Sequence, residues 1–134
     1  MGVSNIEATS KVPNSDLMQK GKQLRAAVDQ AYRTMSKVGL SGAHGNDFSS
    51  FISGYFPKGM SFADAEDILR YGGFTIESPS QLNNYDFVGS LSQYPTGQIS
   101  NICRTEIEIS LIPLTPEYYD AVKEAKGTIW ITCP

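Results

Sequence analysis

The alternation of apolar and polar residues divides the chain into a helical N-terminal half and a sheet-forming C-terminal half. In residues 16–37, apolar or small side chains recur at alternating steps of four and three, which predicts a long amphipathic helix. Asn14 or Ser15 is expected to cap its start and Gly39 its end. Small residues on this helix should let another element pack closely against it: Gly21, Ala26, Ala27 and Ala31.

Three shorter segments also have the pattern of a helix. Asp47 precedes an apolar helical face in residues 48–56, and Ser61 precedes an amphipathic segment that ends at a pair of glycines. The segment TPEYYDAVKEAKG, residues 115–127, begins with Thr-Pro and ends with Gly. Because these residues commonly mark the two ends of a helix, a last helix is predicted there.

The C-terminal half shows the two-residue period of half-buried strands. Strands are predicted at residues 74–76, 84–94, 99–112 and 128–134, and the second and third are expected to form a hairpin. In the long strand one face carries Cys103, Thr105, Ile107, Ile109 and Leu111, and the other carries Arg104, Glu106, Glu108 and Ser110. The last strand places Trp130 on the face opposite Ile129 and Ile131.

These elements predict an α+β fold. We expect an antiparallel sheet of three to five strands, built mostly from the C-terminal half, with one face covered by helices that include the long N-terminal one. Residues 1–14 are expected to form a flexible arm, and residues 15–134 a single domain, which suits a chain of 134 residues.

The two cysteines give a clue to strand register. Cys103 and Cys133 lie on the isoleucine-bearing faces of their strands. If these strands are antiparallel neighbours, pairing the cysteines also places Ile107 opposite Ile129, and a disulfide is within reach. The alternative is a pair of free, buried thiols on strands that are not neighbours.

Composition narrows the class of function. The net charge is −3, the pI is about 5.0 and no run of Lys or Arg occurs, so binding to nucleic acid is not expected. No apolar run approaches the roughly 18 residues of a membrane span. The N-terminus lacks a signal-peptide pattern, but a disulfide would favour an oxidising compartment. The expected location is periplasmic or secreted, after removal of a signal peptide, with the cytoplasm as the alternative.

No motif predicts catalysis, a cofactor or a metal. Gly54 and Gly59 have the spacing of a phosphate-binding loop, but Met60 occupies the position of the essential lysine, so a turn and a helix cap at Ser61 are expected. His44 is the only histidine and lies in a glycine-rich loop. A small enzyme that uses His44 with nearby carboxylates is therefore kept only as an alternative.

The aromatic residues favour protein binding. Trp130 and Arg104 are expected to share one sheet face, and aromatic residues with arginine are typical of binding hot spots. The candidate partner-binding residues are Arg104, Glu106, Glu108, Trp130 and Tyr94. The alternatives are that Trp130 covers a second small layer and that the glutamates form an ordinary solvated face.

The segment FPKGMSFADAEDILRYGGFTI resembles several bacterial envelope modules through Gly59, Ser61, Ala65, Leu69, Gly73 and Phe74. These modules are PASTA domains, small lipoproteins of the BamE/SmpA type and the β-lactamase-inhibitor-protein fold. The resemblance covers about 20 residues of mostly helix-capping sequence, and it carries over no functional residue. It implies a non-catalytic binding domain outside the cytoplasm.

Taken together, the sequence predicts a non-catalytic protein-binding domain of the bacterial envelope. An immunity protein or an inhibitor that binds and neutralises a toxin, effector or enzyme would fit. A structural or assembly subunit, whose N-terminal arm orders on a neighbour, is a further alternative.

Overall fold

The structure, a computed structural model, describes residues 13–77, 87–91, 103–116 and 118–132, with the backbone alone for residues 87–91. The helices are α1 (Asn14–Val38), α2 (Ser49–Ile52) and α3 (Phe62–Tyr71), and a 3-10 turn follows α2 at Ser53–Tyr55. The strands are β1 (Asn46–Asp47), β2 (Thr75–Glu77), β3 (Phe87–Leu91), β4 (Arg104–Thr115) and β5 (Tyr118–Thr132). The predicted α+β class is confirmed. All but the end of the predicted arm lies outside the described residues.

The strands form one antiparallel sheet in the order β1-β5-β4-β3-β2. The predicted pairing of β3 with β4 is confirmed, with Phe87 opposite Leu111. On the inner face, Ile107, Ile109, Leu111, Val122 and Ile129 are buried together with apolar residues from the helices, so the helices cover this face as predicted. The other side of the sheet is called the outer face below.

Helix α1 lies against α3 at a close crossing. A Cβ atom added to Gly21 would lie 2.4 Å from the Cβ of Tyr71 and 2.8 Å from the carbonyl oxygen of Ile68. Beside the crossing, Arg25 Nη1 donates to the carbonyl oxygen of Gly72 at 3.1 Å. The expected close packing is thus confirmed at Gly21, whereas Ala26 is exposed.

The start of α1 differs from the prediction. Pro13 is the N-cap, and its carbonyl oxygen accepts hydrogen bonds from the amides of Asp16 and Leu17. Asn14 and Ser15 are inside the helix, so neither is the cap residue. At the other end Gly39 has a φ of 119°, a conformation that favours glycine, and the predicted glycine stop is confirmed.

The segment with the glycine spacing of a phosphate-binding loop forms a turn followed by a helix cap. Gly59 has a φ of 95°, and the Ser61 hydroxyl accepts from the Asp64 amide at 3.1 Å, as the sequence predicts. The segment also pairs with β5, because the Gly59 amide donates to the Val122 carbonyl at 2.8 Å and the Val122 amide to the Met60 carbonyl at 2.7 Å. It therefore attaches α3 to the sheet.

The helix predicted at residues 115–127 is wrong. These residues belong to the hairpin of β4 and β5, with Thr115 opposite Tyr118. The prediction relied on Thr-Pro at the start and Gly at the end, residues that also suit the turn and the strand found here. Val122 and Ala125 are both buried because a β-bulge, with Pro113 paired to Val122 and Ile112 to Glu124, shifts the alternation of β5 by one residue.

Tertiary contacts fix β5 along its length. The rings of Tyr119 and Phe62 pack edge-to-face with centroids 5.5 Å apart, which joins the start of β5 to α3. Gly127, predicted as a helix stop, instead lies opposite Ile109 with the ring of Phe48 packed on it. The Phe48 amide donates to the Gly127 carbonyl at 2.9 Å, so both backbone and ring hold this contact.

The register inferred from the cysteines is confirmed for the described residues. Ile107 lies opposite Ile129 in the antiparallel pair, and the ladder runs to Arg104 opposite Thr132. Cys103 immediately precedes β4 and is not a free thiol. Cys133 lies outside the described residues, so its bond to Cys103 stays a prediction. The chain between the two cysteines contains the β4–β5 hairpin rather than the predicted helix.

We expect the protein purified under oxidising conditions to resist alkylation until it is reduced. The Cys103–Cys133 bond would constrain the unfolded chain and stabilise the fold by about 3–4 kcal/mol. Intact-mass measurement after iodoacetamide treatment, with and without reductant, checks the bond, and chemical unfolding of Cys103→Ser checks its effect. Two modified thiols in the unreduced protein would contradict the pairing.

Candidate functional site

The outer face of β4 and β5 brings together most of the residues predicted to bind a partner. Glu106 lies directly opposite Trp130, Glu108 opposite Thr128, and Arg104 opposite Thr132. Side chains that are directly opposite in an antiparallel pair project to the same side of the sheet and contact each other. The outer patch is defined here as Arg104, Glu106, Glu108, Thr128 and Trp130. The remaining candidate, Tyr94, lies outside the described residues.

Trp130 is the central side chain of the outer patch. It is 40% exposed, although it is large and apolar. Its indole Nε1 donates to Glu108 Oε1 at 3.3 Å, which orients the ring relative to the neighbouring strand. The indole therefore presents an apolar surface to solvent from a position that is already held in the free protein.

A glycine-rich loop, residues 39–45, borders Trp130. A Cβ atom added to Gly45 would lie 2.5 Å from Thr128 Cγ2 and 3.1 Å from Trp130 Cη2, so the loop backbone packs directly on the outer patch. Sequence reasoning recognised the loop but not this contact. The one feature of the sequence that reflects this contact is the glycine at position 45. A side chain there would collide with Thr128 and Trp130.

The side chain of Asn46 holds the glycine loop in place. Its Oδ1 accepts from the Ser41 amide at 2.7 Å, and its Nδ2 donates to the Ser41 carbonyl at 3.0 Å. The same Nδ2 donates to the Ile129 carbonyl at 3.0 Å, which connects the loop to β5. Asn46 therefore fixes the border of the outer patch to the strand that carries Trp130.

Charged groups lie both within the outer patch and beside it. Glu106 and Glu108 are half-buried beside the indole, and Arg104 lies at the end of the described ladder. Farther along β5, the positive charge of Lys126 acts on Asp47 of β1. The Ser49 amide donates to Asp47 Oδ1 at 2.7 Å, and this bond, together with the Ser49 side chain, lowers the pKa of Asp47. Burial opposes this shift, and the charge of Lys126 adds a smaller lowering effect.

The lowered pKa of Asp47 predicts a pH-dependent contribution to stability. Its ionised form stabilises the fold above the unfolded-state pKa, about 3.9, and this stabilisation is lost as the pH falls through the lower folded-state pKa. Asp47→Asn should therefore reduce the free energy of unfolding near neutral pH, and the difference from wild type should shrink in strong acid. Urea unfolding across the acid range measures it.

Glu77→Gln, which removes an exposed charge on β2, controls for general surface charge. A difference between Asp47→Asn and wild type that stays constant down to about pH 2 would contradict the assignment.

The groups considered for chemistry are His44 and the carboxylates near it. His44 is exposed, and its ring Nδ1 lies 3.4 Å from the Gly45 carbonyl oxygen. The nearby Asp47 carboxylate accepts from the start of α2. Within the described residues, no group of three or more His, Cys, Asp or Glu side chains is placed to hold a metal ion.

A second exposed apolar feature lies at the β4–β5 turn. Leu114 is 40% exposed and Tyr118 is 66% exposed, one on each strand. The helix predicted at residues 115–127 included Tyr118. The turn is therefore a further exposed apolar feature of the same hairpin that carries the outer patch.

No protein-family model, curated protein or solved structure matches this chain significantly. Among the described residues, α1 is long enough to be considered as a membrane span but is too polar to be one.

Proposed function

We propose that this protein is a non-catalytic protein-binding domain that docks a partner on the outer patch. The observation that carries the proposal is Trp130, which is 40% exposed on the face of the sheet opposite the core and fixed by its hydrogen bond to Glu108. The inner face of the sheet forms the core, because its buried residues pack under the helices. On the outer side, the glycine-rich loop packs on the indole but leaves Trp130 40% exposed among the described residues.

Physical considerations favour Trp130 as an interface anchor. Tryptophan is among the residues most enriched at binding hot spots, where truncation to alanine costs about 2 kcal/mol or more. An indole that is already oriented loses little side-chain entropy on binding. The loop that borders Trp130 is also fixed, through Asn46, so the patch is preorganised on two sides.

Within this class, we propose an immunity or inhibitor protein of the bacterial envelope that neutralises a toxin, effector or enzyme by occupying its surface. The acidic pI of about 5.0 supports an electrostatically guided encounter with a partner. The predicted Cys103–Cys133 disulfide and the resemblance of the Gly59–Phe74 segment to envelope modules support an oxidising compartment.

Site-specific photo-crosslinking in the producing organism tests the docking face. A benzoylphenylalanine at Thr132, beside the outer patch, should give an adduct with one protein in constant stoichiometry, and adding Trp130→Ala should abolish that adduct. The same probe at Gln30, an exposed position of α1, is the matched control and should give no such adduct. Equal adducts from both positions, or an adduct that persists without Trp130, would overturn the proposal.

A further inference from the structure

We infer that the outer patch receives a basic segment of the partner, with a guanidinium or ammonium group placed on the indole of Trp130 beside Glu106 and Glu108. The inference rests on the proposed function, since it assumes that the outer patch docks a protein. It adds the chemistry of the occupant. The juxtaposition of a half-exposed indole with two carboxylates on the neighbouring strand carries it.

The strand register creates this juxtaposition. Glu106 is the residue directly opposite Trp130, and Glu108, one outward-facing position farther along β4, accepts from the indole nitrogen at 3.3 Å. A cation on the face of an aromatic ring is attracted by the electron density of the ring, and tryptophan is the strongest partner for it. Carboxylates at the ring's edge add charge-assisted hydrogen bonds to the same cation.

The other charges around the patch do not reverse its preference. Arg104 is the cation nearest along the ladder, opposite Thr132 rather than Trp130. Lys126 is more distant on β5, and its charge acts on Asp47. The chain as a whole has a net charge of −3, so its field also attracts a basic partner segment.

An acidic or purely apolar occupant fits the patch less well. An acidic segment would bring its carboxylates against Glu106 and Glu108. A purely apolar segment would remove water from two negative charges without supplying a positive one, which is unfavourable. A lysine or arginine supplies that charge and covers the indole with its aliphatic stem at the same time.

Peptide titration of the intact protein tests the inference, because Trp130 is the only tryptophan and reports directly. Three peptides of equal length and apolar content would carry arginine, its uncharged isostere citrulline, or glutamate. The arginine peptide should shift the indole Nε1–H resonance and the fluorescence of Trp130, and salt should weaken its binding. The citrulline and glutamate peptides should bind at least about tenfold more weakly.

Variants separate the ring from the carboxylates. Trp130→Leu should weaken the arginine peptide about tenfold, as measured by chemical shifts elsewhere on β5. Glu106→Gln and Glu108→Gln should each weaken it about threefold, since glutamine keeps an oxygen acceptor for the indole but removes the charge. Glu66→Gln on α3 is the matched control and should bind like wild type.

The outcomes distinguish this inference from the proposed function. Equal binding of the arginine and citrulline peptides would overturn the basic occupant, as would a Trp130 signal that no peptide perturbs. In either case an adduct from Thr132 that depends on Trp130 would still support docking on the outer patch. Loss of that adduct would instead remove the proposed function itself.

Discussion

Gly21→Ala is expected to destabilise the protein by about 2 kcal/mol, although the same change in an exposed helix normally stabilises. Alanine gains about 1 kcal/mol over glycine from helix propensity. At this position, however, the new Cβ would lie 2.4 Å from Tyr71 Cβ, 2.8 Å from the Ile68 carbonyl oxygen and 2.9 Å from the Tyr71 carbonyl carbon. Because two of these three atoms belong to the backbone, α1 and α3 must move apart, and such overpacking costs about 3 kcal/mol.

Urea unfolding followed by Trp130 fluorescence measures the effect. Gly54→Ala, in the 3-10 turn after α2, is the matched control because a Cβ there meets nothing within 4 Å, and it should change stability by less than about 0.5 kcal/mol. A Gly21→Ala variant that is more stable than wild type would show that α1 does not cross α3 at this residue.

Gly127→Ala should also destabilise the fold by about 2 kcal/mol, for a different reason. The added Cβ would lie 2.7 Å from Phe48 Cζ and 2.8 Å from Phe48 Cε2. The end of a flexible side chain could move aside, but Phe48 is only 1% exposed, so its neighbours in the core would have to move with it. A ring packed on a glycine of a strand is a known way of covering the exposed backbone, and alanine removes that fit.

A double-mutant cycle tests the Phe48 contact specifically. Phe48→Leu shortens the ring side chain and should cost about 1–2 kcal/mol alone, from lost burial. Combined with Gly127→Ala, it should cost at least about 1 kcal/mol less than the sum of the two single changes, because the leucine leaves room for the new Cβ. Strict additivity would contradict the packing of the ring on Gly127.

The long periodic segments were predictable from the sequence alone. The helical spacing in α1, the cap at Ser61 and the two-residue alternation of β4 each identified an element, because burial of one face imposes its period on the sequence. The antiparallel register of Ile107 with Ile129 also followed, since both apolar faces had to meet.

The β4–β5 hairpin was not predictable in the same way. Thr115 with the following proline is compatible with a helix start as well as a turn, and the bulge opposite Pro113 interrupts the alternation that would have marked β5 as a strand. Gly127 likewise suits a helix stop or a strand covered by a ring. Only the tertiary contact with Phe48 decides between these alternatives.

The candidate site was partly predictable. The shared face of Glu106, Glu108 and Trp130 followed from strand alternation, once β4 and β5 were expected to be neighbours. The loop that borders Trp130 was not, because the contact of Gly45 and the hydrogen bonds of Asn46 connect residues that are far apart in the sequence. Local patterns contain no direct signal for such contacts.

Calorimetry with the partner crosslinked through Thr132 measures whether the outer patch is the docking face. Trp130→Ala should weaken binding about 30-fold or more, which corresponds to a hot-spot loss of about 2 kcal/mol. Met18→Ala is the matched control, because Met18 on α1 is 41% exposed, slightly more than Trp130 at 40%, and it should bind like wild type. If folded Trp130→Ala binds the partner as tightly as wild type, the outer patch is not the docking face.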